Sequence, residues 1–555
     1  MKLIPPLLAC CLLFFAASAR GQWQTTTYTL KGGWSSIYLG GDAKQDSLDN
    51  IFPASVTEVW RWNPNPNQVQ FTESPLIPSA GTPEWSVWRR GFPADSTLTQ
   101  LIGRTAYLVK SVGTAANSYA VAIKQSPLPP AASWVRNGAN LLGFPSFKNG
   151  ANYPTFSNYF STFPVAINAA VFKYVGGELG PGNPVQIFAP LSERLDRTQA
   201  YWFAAEVVEN FYAPLEINLS NANGLDFGRT GSVVTARIRN RSAANVTLTL
   251  APAASEAKPA GQADIAGSVP LTSRAFNTTT LLWTETPITA AYNVVIAPQS
   301  ILELQFGIDR GSMTAGINSR YASFLRLTDS SGLMDVVLPA KAQQASLAGL
   351  WVGDITLSAV ASKVAGSPGA TTPKPFPLRT LLHVADGGSA RLLSQVFLGQ
   401  LAVAPNDIGI CTREALLNQA AKASAQRLVA AHLPLDQVIT GTGTVAVPGT
   451  LTCVVTVPFD DPTNPFVHQY HPDHDNKDAR FRPVGPGIES YSVTRTCTFT
   501  FTAAPPVGST VSSGWGSSVL GGTYSESISG VHKSPVTVSG IFELNRASEI
   551  GTLSQ

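Results

Sequence analysis

One set of short motifs occurs twice, in the same order, within residues 33–203. Gly33-Trp34-Ser35-Ser36-Ile37-Tyr38-Leu39 is answered by Gly138-Ala139-Asn140-Leu141-Leu142-Gly143-Phe144-Pro145, and Leu48-Asp49-Asn50-Ile51-Phe52 by Phe156-Ser157-Asn158-Tyr159-Phe160. Val59-Trp60-Arg61-Trp62 matches Val171-Phe172-Lys173-Tyr174, and Arg104-Thr105-Ala106-Tyr107-Leu108-Val109 matches Arg197-Thr198-Gln199-Ala200-Tyr201-Trp202-Phe203. An ordered set of matches marks two copies of one supersecondary unit. The copies span 22–126 and 131–219, and Pro127-Leu128-Pro129-Pro130 between them is a stiff spacer.

These units are read as strands. The chain of 555 residues holds 46 Gly and 41 Pro and is only 13% charged, too few Glu, Lys and Arg for long amphipathic helices. Its length exceeds what one core can serve. The expected class is therefore mostly β: tandem β modules, then an immunoglobulin-like sandwich over 224–342, then a larger C-terminal β domain over 347–555 with one short helix. That helix is expected where Thr412 can cap the run 413–422.

The twin motifs resemble a repeat of uncharacterised exported bacterial proteins, in which a Gly-Trp-Asn-Leu-type strand opens the unit and a Gly-x-Gly-Tyr-Trp segment closes it. The chain departs from it with Arg104 and Arg197, where glycine is more usual. Leu225-Asp226-Phe227-Gly228, followed by the alternating run 233–242, is similar to the opening of an immunoglobulin-like module of the hydin-like group. Residues 347–555 resemble the C-terminal β domain, of unknown function, of large exported proteins. These resemblances imply scaffold or surface use and bring no chemistry with them.

Residues 1–19 have the form of a signal peptide: Lys2, an apolar run, then Ala17-Ser18-Ala19. Export to the periplasm, the cell surface or the medium is the expectation, and Cys10 and Cys11 leave with the signal. No later run approaches the ~20 apolar residues of a transmembrane helix. The formal charge of +3 is not gathered into a basic block, so nucleic acid is not an expected partner. Cys453 and Cys497 each sit on the inward face of an alternating strand, as a disulfide or as two buried thiols; Cys411 is left over.

Two places offer site chemistry. The stretch 458–490 lies between the two cysteine strands and holds half of the six histidines. Asp473, Asp475 and Asn476 have the spacing of calcium ligands, and His468, His471 and His474 are ligands suited to zinc, so a divalent metal is the cofactor expectation. Pro472 rules out a helical His-Glu-x-x-His site, and a turn-rich loop bonded to its own backbone is the competing reading. The second place is Trp85 and Trp88, absent from the other copy and adjoined by Arg89 and Arg90, which could form an edge for stacking on a ligand. Trp60 and Trp62 stay aromatic in both copies and read as core, and His383 and His432 as structural. No nucleophile elbow, phosphate-binding loop or dinucleotide fingerprint is present in the sequence. The leading expectation is a non-enzymatic modular protein of the cell surface or matrix, an adhesion or binding component with polysaccharide or other surface partners. The alternative is a secreted carbohydrate-active enzyme or carbohydrate-binding protein using 458–490 with Trp85 and Trp88.

Overall fold

The computed structural model describes residues 22–553 apart from 44–45, 65–74, 76, 133, 136–137, 149, 151, 206–208, 280, 361–369, 394–395, 404–406, 412–424, 432–440, 458–491, 510–513 and 530–534. Strands dominate, as composition requires. The described α-helices are single turns, Leu48–Ile51, Phe156–Tyr159 and Pro164–Asn168, and none is long and apolar enough to cross a membrane. The helix expected over 413–422 lies outside the described residues.

Strands Gly33–Leu39, Thr105–Ser111, Val56–Trp62 and Trp85–Arg89 lie side by side in that order as an antiparallel sheet. Strands Gly138–Leu142, Tyr201–Ala205, Ala170–Lys173 and Val185–Gln186 form another sheet with the corresponding order. In both, a helical turn falls between the first two strands of the sequence, and a buried tyrosine ties down the last. The Tyr107 and Tyr201 hydroxyls accept the N–H groups of Ile102 and Asp196, five residues upstream in each case, at 2.8 and 2.9 Å. Arg104 adopts φ 56°, the left-handed region glycine occupies without cost, and it stands where the resembled repeat carries glycine. Its Nε donates to the Pro129 carbonyl, which fixes the proline spacer.

Because successive side chains of a strand point to opposite faces, Gly33–Leu39 serves two cores. Ile37 and Leu39 join Tyr28, Tyr107 and Val109 inside the first module, beneath a small sheet of Gln24–Lys31, Ser118–Pro127 and Gly41–Ala43. Trp34 and Tyr38 point the other way, onto the second module. Gly33, at φ 78°, lets the two backbones meet at Gly177, since a Cβ there would lie 2.3 Å from the Gly177 carbonyl oxygen.

The second module shares its core with a sandwich of two five-stranded sheets, Phe144, Phe160 and Phe203 continuing into Leu225, Leu325 and Leu338. Leu215–Leu219, which the sequence reading leaves in the second module, pairs with Val233–Asn240 and forms the edge of the sandwich. Its alternating Leu215 and Ile217 are buried in that core, and their contacts outweigh closeness in sequence.

The C-terminal domain holds, beside a three-stranded sheet of Asp407–Cys411, Val396–Val403 and Ala425–Ala431, an eight-stranded antiparallel sheet running from Ala390–Leu392 through Ala370–Val384, Gly349–Val360, Val536–Ser548, Val519–Ser529, Val493–Phe501 and Gly449–Val457 to Thr442–Gly443. The larger sheet curls until its edges meet, where Gly441 N–H donates to the Ala390 carbonyl at 2.9 Å and Val445 N–H to that of Gly388 at 3.3 Å. The join is short, since Ala370–Val384 pairs with Ala390–Leu392 only over Leu382–Val384 and Gly449–Val457 with Thr442–Gly443 only over Leu451–Thr452. Trp351, Phe499 and Phe542 fill the interior. Among them sits an ion pair with no side-chain exposure: Arg495 grips both carboxylate oxygens of Glu526, which also accepts from the Tyr524 hydroxyl at 2.8 Å. Cys453 and Cys497 stand directly opposite each other in register and face this interior, as read from the alternation. They are two buried free thiols here, not the disulfide, and burial pushes each up to about 12, which keeps them protonated and slow to exchange.

Candidate functional site

The largest change from the sequence reading concerns Trp85 and Trp88. Both are 6% exposed, so neither presents a ring face to a ligand, and the stacking edge is replaced by packing. Trp85 stands within 5.1 Å of Trp62, 6.2 Å of Trp60 and 6.4 Å of Trp202, ring centre to ring centre, in the contact between the modules. Trp88 turns inward and stacks on Phe52, with the Arg90 guanidinium 5.0 Å over its ring. Arg90 in turn donates to the carbonyls of Phe52, Pro53 and Val56. The arginines beside the tryptophans are thus packing devices. Trp60 and Trp62 are buried, and so is His383, whose Nε2 lies 3.1 Å from the Ile550 carbonyl oxygen. His468, His471, Asp473, His474, Asp475 and Asn476 fall outside the described residues, as does His432.

One concave feature of the described residues lies where three units meet. A cavity of about 330 Å³ is walled by the first strand of module one from Gln24 to Tyr28, by the proline spacer, by Phe144, Lys148 and Arg197 of module two, and by Asp335–Val337 of the sandwich. A neighbouring cavity of about 340 Å³ shares Gln24, Asp335 and Val337 and extends past Arg326 and Glu256. Each volume is within the usual range for small-ligand pockets.

The walls are fixed from all three sides. Gln22 donates to the Ala340 carbonyl at 2.8 Å, Phe147 N–H to that of Leu333 at 2.9 Å, and Asp335 N–H to that of Pro145 at 2.9 Å. At the centre is Asp335, 7% exposed on its side chain. Arg326 binds both of its oxygens, at 2.8 and 2.9 Å, and Arg197 donates to one of them from the other module. Burial pushes the Asp335 carboxyl up, but the Arg326 hydrogen bonds and the charges of Arg197 and Arg326 outweigh this and hold it below the usual carboxylate range. A carboxylate depressed on folding contributes stability that is present above its unfolded pKa and is lost as pH falls through the folded one. Acid titration should therefore destabilise the wild type from about pH 4 downward more steeply than Asp335→Asn. Parallel melts at pH 5, 4 and 3 check this, and identical slopes would remove the linkage.

Arg197 was visible in sequence as a departure from its repeat. Asp335, Arg326 and Lys148 were not, because they sit in ordinary alternating or loop text and acquire meaning only when three modules converge. No protein-family model matches this chain, and no curated protein sequence matches it.

Proposed function

We propose that the protein is an exported, non-catalytic modular protein of the cell surface or matrix, acting as an adhesion or binding component through the three-module cleft. The observation that carries this reading is the construction of the cleft. Its walls come from separate β units, each tied to the next by backbone hydrogen bonds and shared cores, so the cleft is held open as a preformed binding surface. Hydroxyl, amide and aromatic groups line it, a mixture suited to polysaccharide, the partner class expected from sequence. The enzymatic alternative loses the stacking role of Trp85 and Trp88, since both rings are covered.

Val337 lines both cavities and is half-buried, so Val337→Trp fills the cleft from a position outside the main core. In pull-downs on immobilised cell-surface polysaccharides, the wild-type chain is expected to be retained and the folded variant at least about tenfold less. Equal retention of the two would overturn the cleft as the binding site.

A further inference from the structure

Taking the cleft as the binding site, a reading on which this step rests, we infer that it receives an acidic sugar chain whose carboxylate is seated against Arg197 and Lys148. The charge balance of the lining leads there. Asp335 is the carboxylate among the described residues of the first cavity, and Arg326 already holds both of its oxygens. Arg197 commits one terminal nitrogen to the same carboxylate, and its side chain stays 29% exposed. One carboxylate shared by two guanidiniums leaves a whole positive charge over. Lys148, exposed on the same cavity, adds a second; its ammonium lies 5.4 Å over the Tyr153 ring, and no carboxylate pairs with it among the described residues. A partly desolvated guanidinium anchored at one nitrogen is pre-organised to offer its remaining N–H groups to a carboxylate.

The rest of the site favours a sugar over an acidic peptide. A peptide would most readily add as a strand to the free edge of Gln24–Lys31. That edge is closed where it borders the cleft: Thr25 N–H donates to a Glu256 carboxylate oxygen at 2.8 Å, and Glu256 N–H to the Trp23 carbonyl at 2.8 Å. Thr25 Oγ1 donates to Glu256 and the Gln125 amide to Thr26 Oγ1, so the polar side chains this wall still offers are Gln24 and Thr27, between apolar walls that continue into the second cavity, a lining suited to pyranose rings.

Calorimetry on the full chain tests this with tetragalacturonate, its fully methyl-esterified form and a short polyglutamate peptide. Tetragalacturonate should bind, weaken with added salt, and bind about tenfold more weakly to Arg197→Gln and to Lys148→Gln. The ester and the peptide should bind worse than the acid. Arg197→Gln leaves Asp335 with both Arg326 contacts, and Lys148 is exposed, so both variants should fold, with circular dichroism as the check. Equal binding of acid and ester that Val337→Trp abolishes overturns the anionic assignment and leaves the cleft standing. Binding unaffected by Val337→Trp overturns both. Preference for polyglutamate, or no binding of tetragalacturonate, overturns the acidic-sugar assignment.

Discussion

Glu526→Gln is expected to lower the stability of the C-terminal barrel by about 3–5 kcal/mol. The Arg495–Glu526 pair has no exposed side-chain surface, and the flanking Tyr524 hydroxyl bonds to the same carboxylate. Neutralising Glu526 removes the carboxylate that both Arg495 nitrogens bind inside the apolar core. Removing both charges together with Arg495→Met/Glu526→Leu should recover most or all of the loss, because the cost of a broken buried pair lies mainly in the orphaned ion. Urea denaturation with hydrogen exchange read over Val493–Phe501 and Val519–Ser529 separates this domain from the rest. A wild-type urea midpoint for Glu526→Gln would show that the pair does not carry the burden assigned to it.

Trp202→Ala should have a comparable effect at the other end of the chain, about 3–5 kcal/mol, with a different signature. Trp202 is 1% exposed, lies 5.3 Å from Trp62 and 6.4 Å from Trp85, and donates its indole N–H to Tyr174 at 3.1 Å. The cavity left behind would open in the contact between the two modules, not within either one. The first module should then melt apart from the second module and the sandwich that shares its core, and protease should cut at the proline spacer before either side unfolds. A single melt at the wild-type temperature with an uncut spacer would count against the cluster as the joint.

What the sequence disclosed follows from what a one-dimensional pattern can encode. Alternation placed Cys453 and Cys497 on inward faces, and the structure sets them opposite each other. The persistence of aromatics at Trp60, Trp62, Phe172 and Tyr174 pointed to core, and Trp60, Trp62 and Tyr174 are buried with Phe172 packed against them. Alternation identifies two faces of a strand but not which face meets water. Trp85 and Trp88 looked like an exposed edge because the second copy lacks them, whereas their neighbours come from across the module contact and from the helical turn near Phe52. The cleft was harder still to foresee. Arg197 and Asp335 are 138 positions apart and in different domains, and nothing local to either predicts the meeting. Barrel closure likewise depends on two backbone bonds between segments 51 and 57 residues apart, contacts that side-chain patterning does not record.

The two modules meet through equivalent surfaces: Trp60, Trp62, Ala106 and Leu108 of the first face Phe172, Tyr174, Ala200 and Trp202 of the second. A surface that recognises its own copy is used up once the pair forms, in the manner of a twofold dimer. Stacked repeats behave differently, since each unit leaves a fresh face for the next. A third copy inserted after the proline spacer would therefore find no vacant partner. Growth by duplication stops at two here, and any lengthening of this protein has to come from other kinds of domain, such as the sandwich and the barrel that follow.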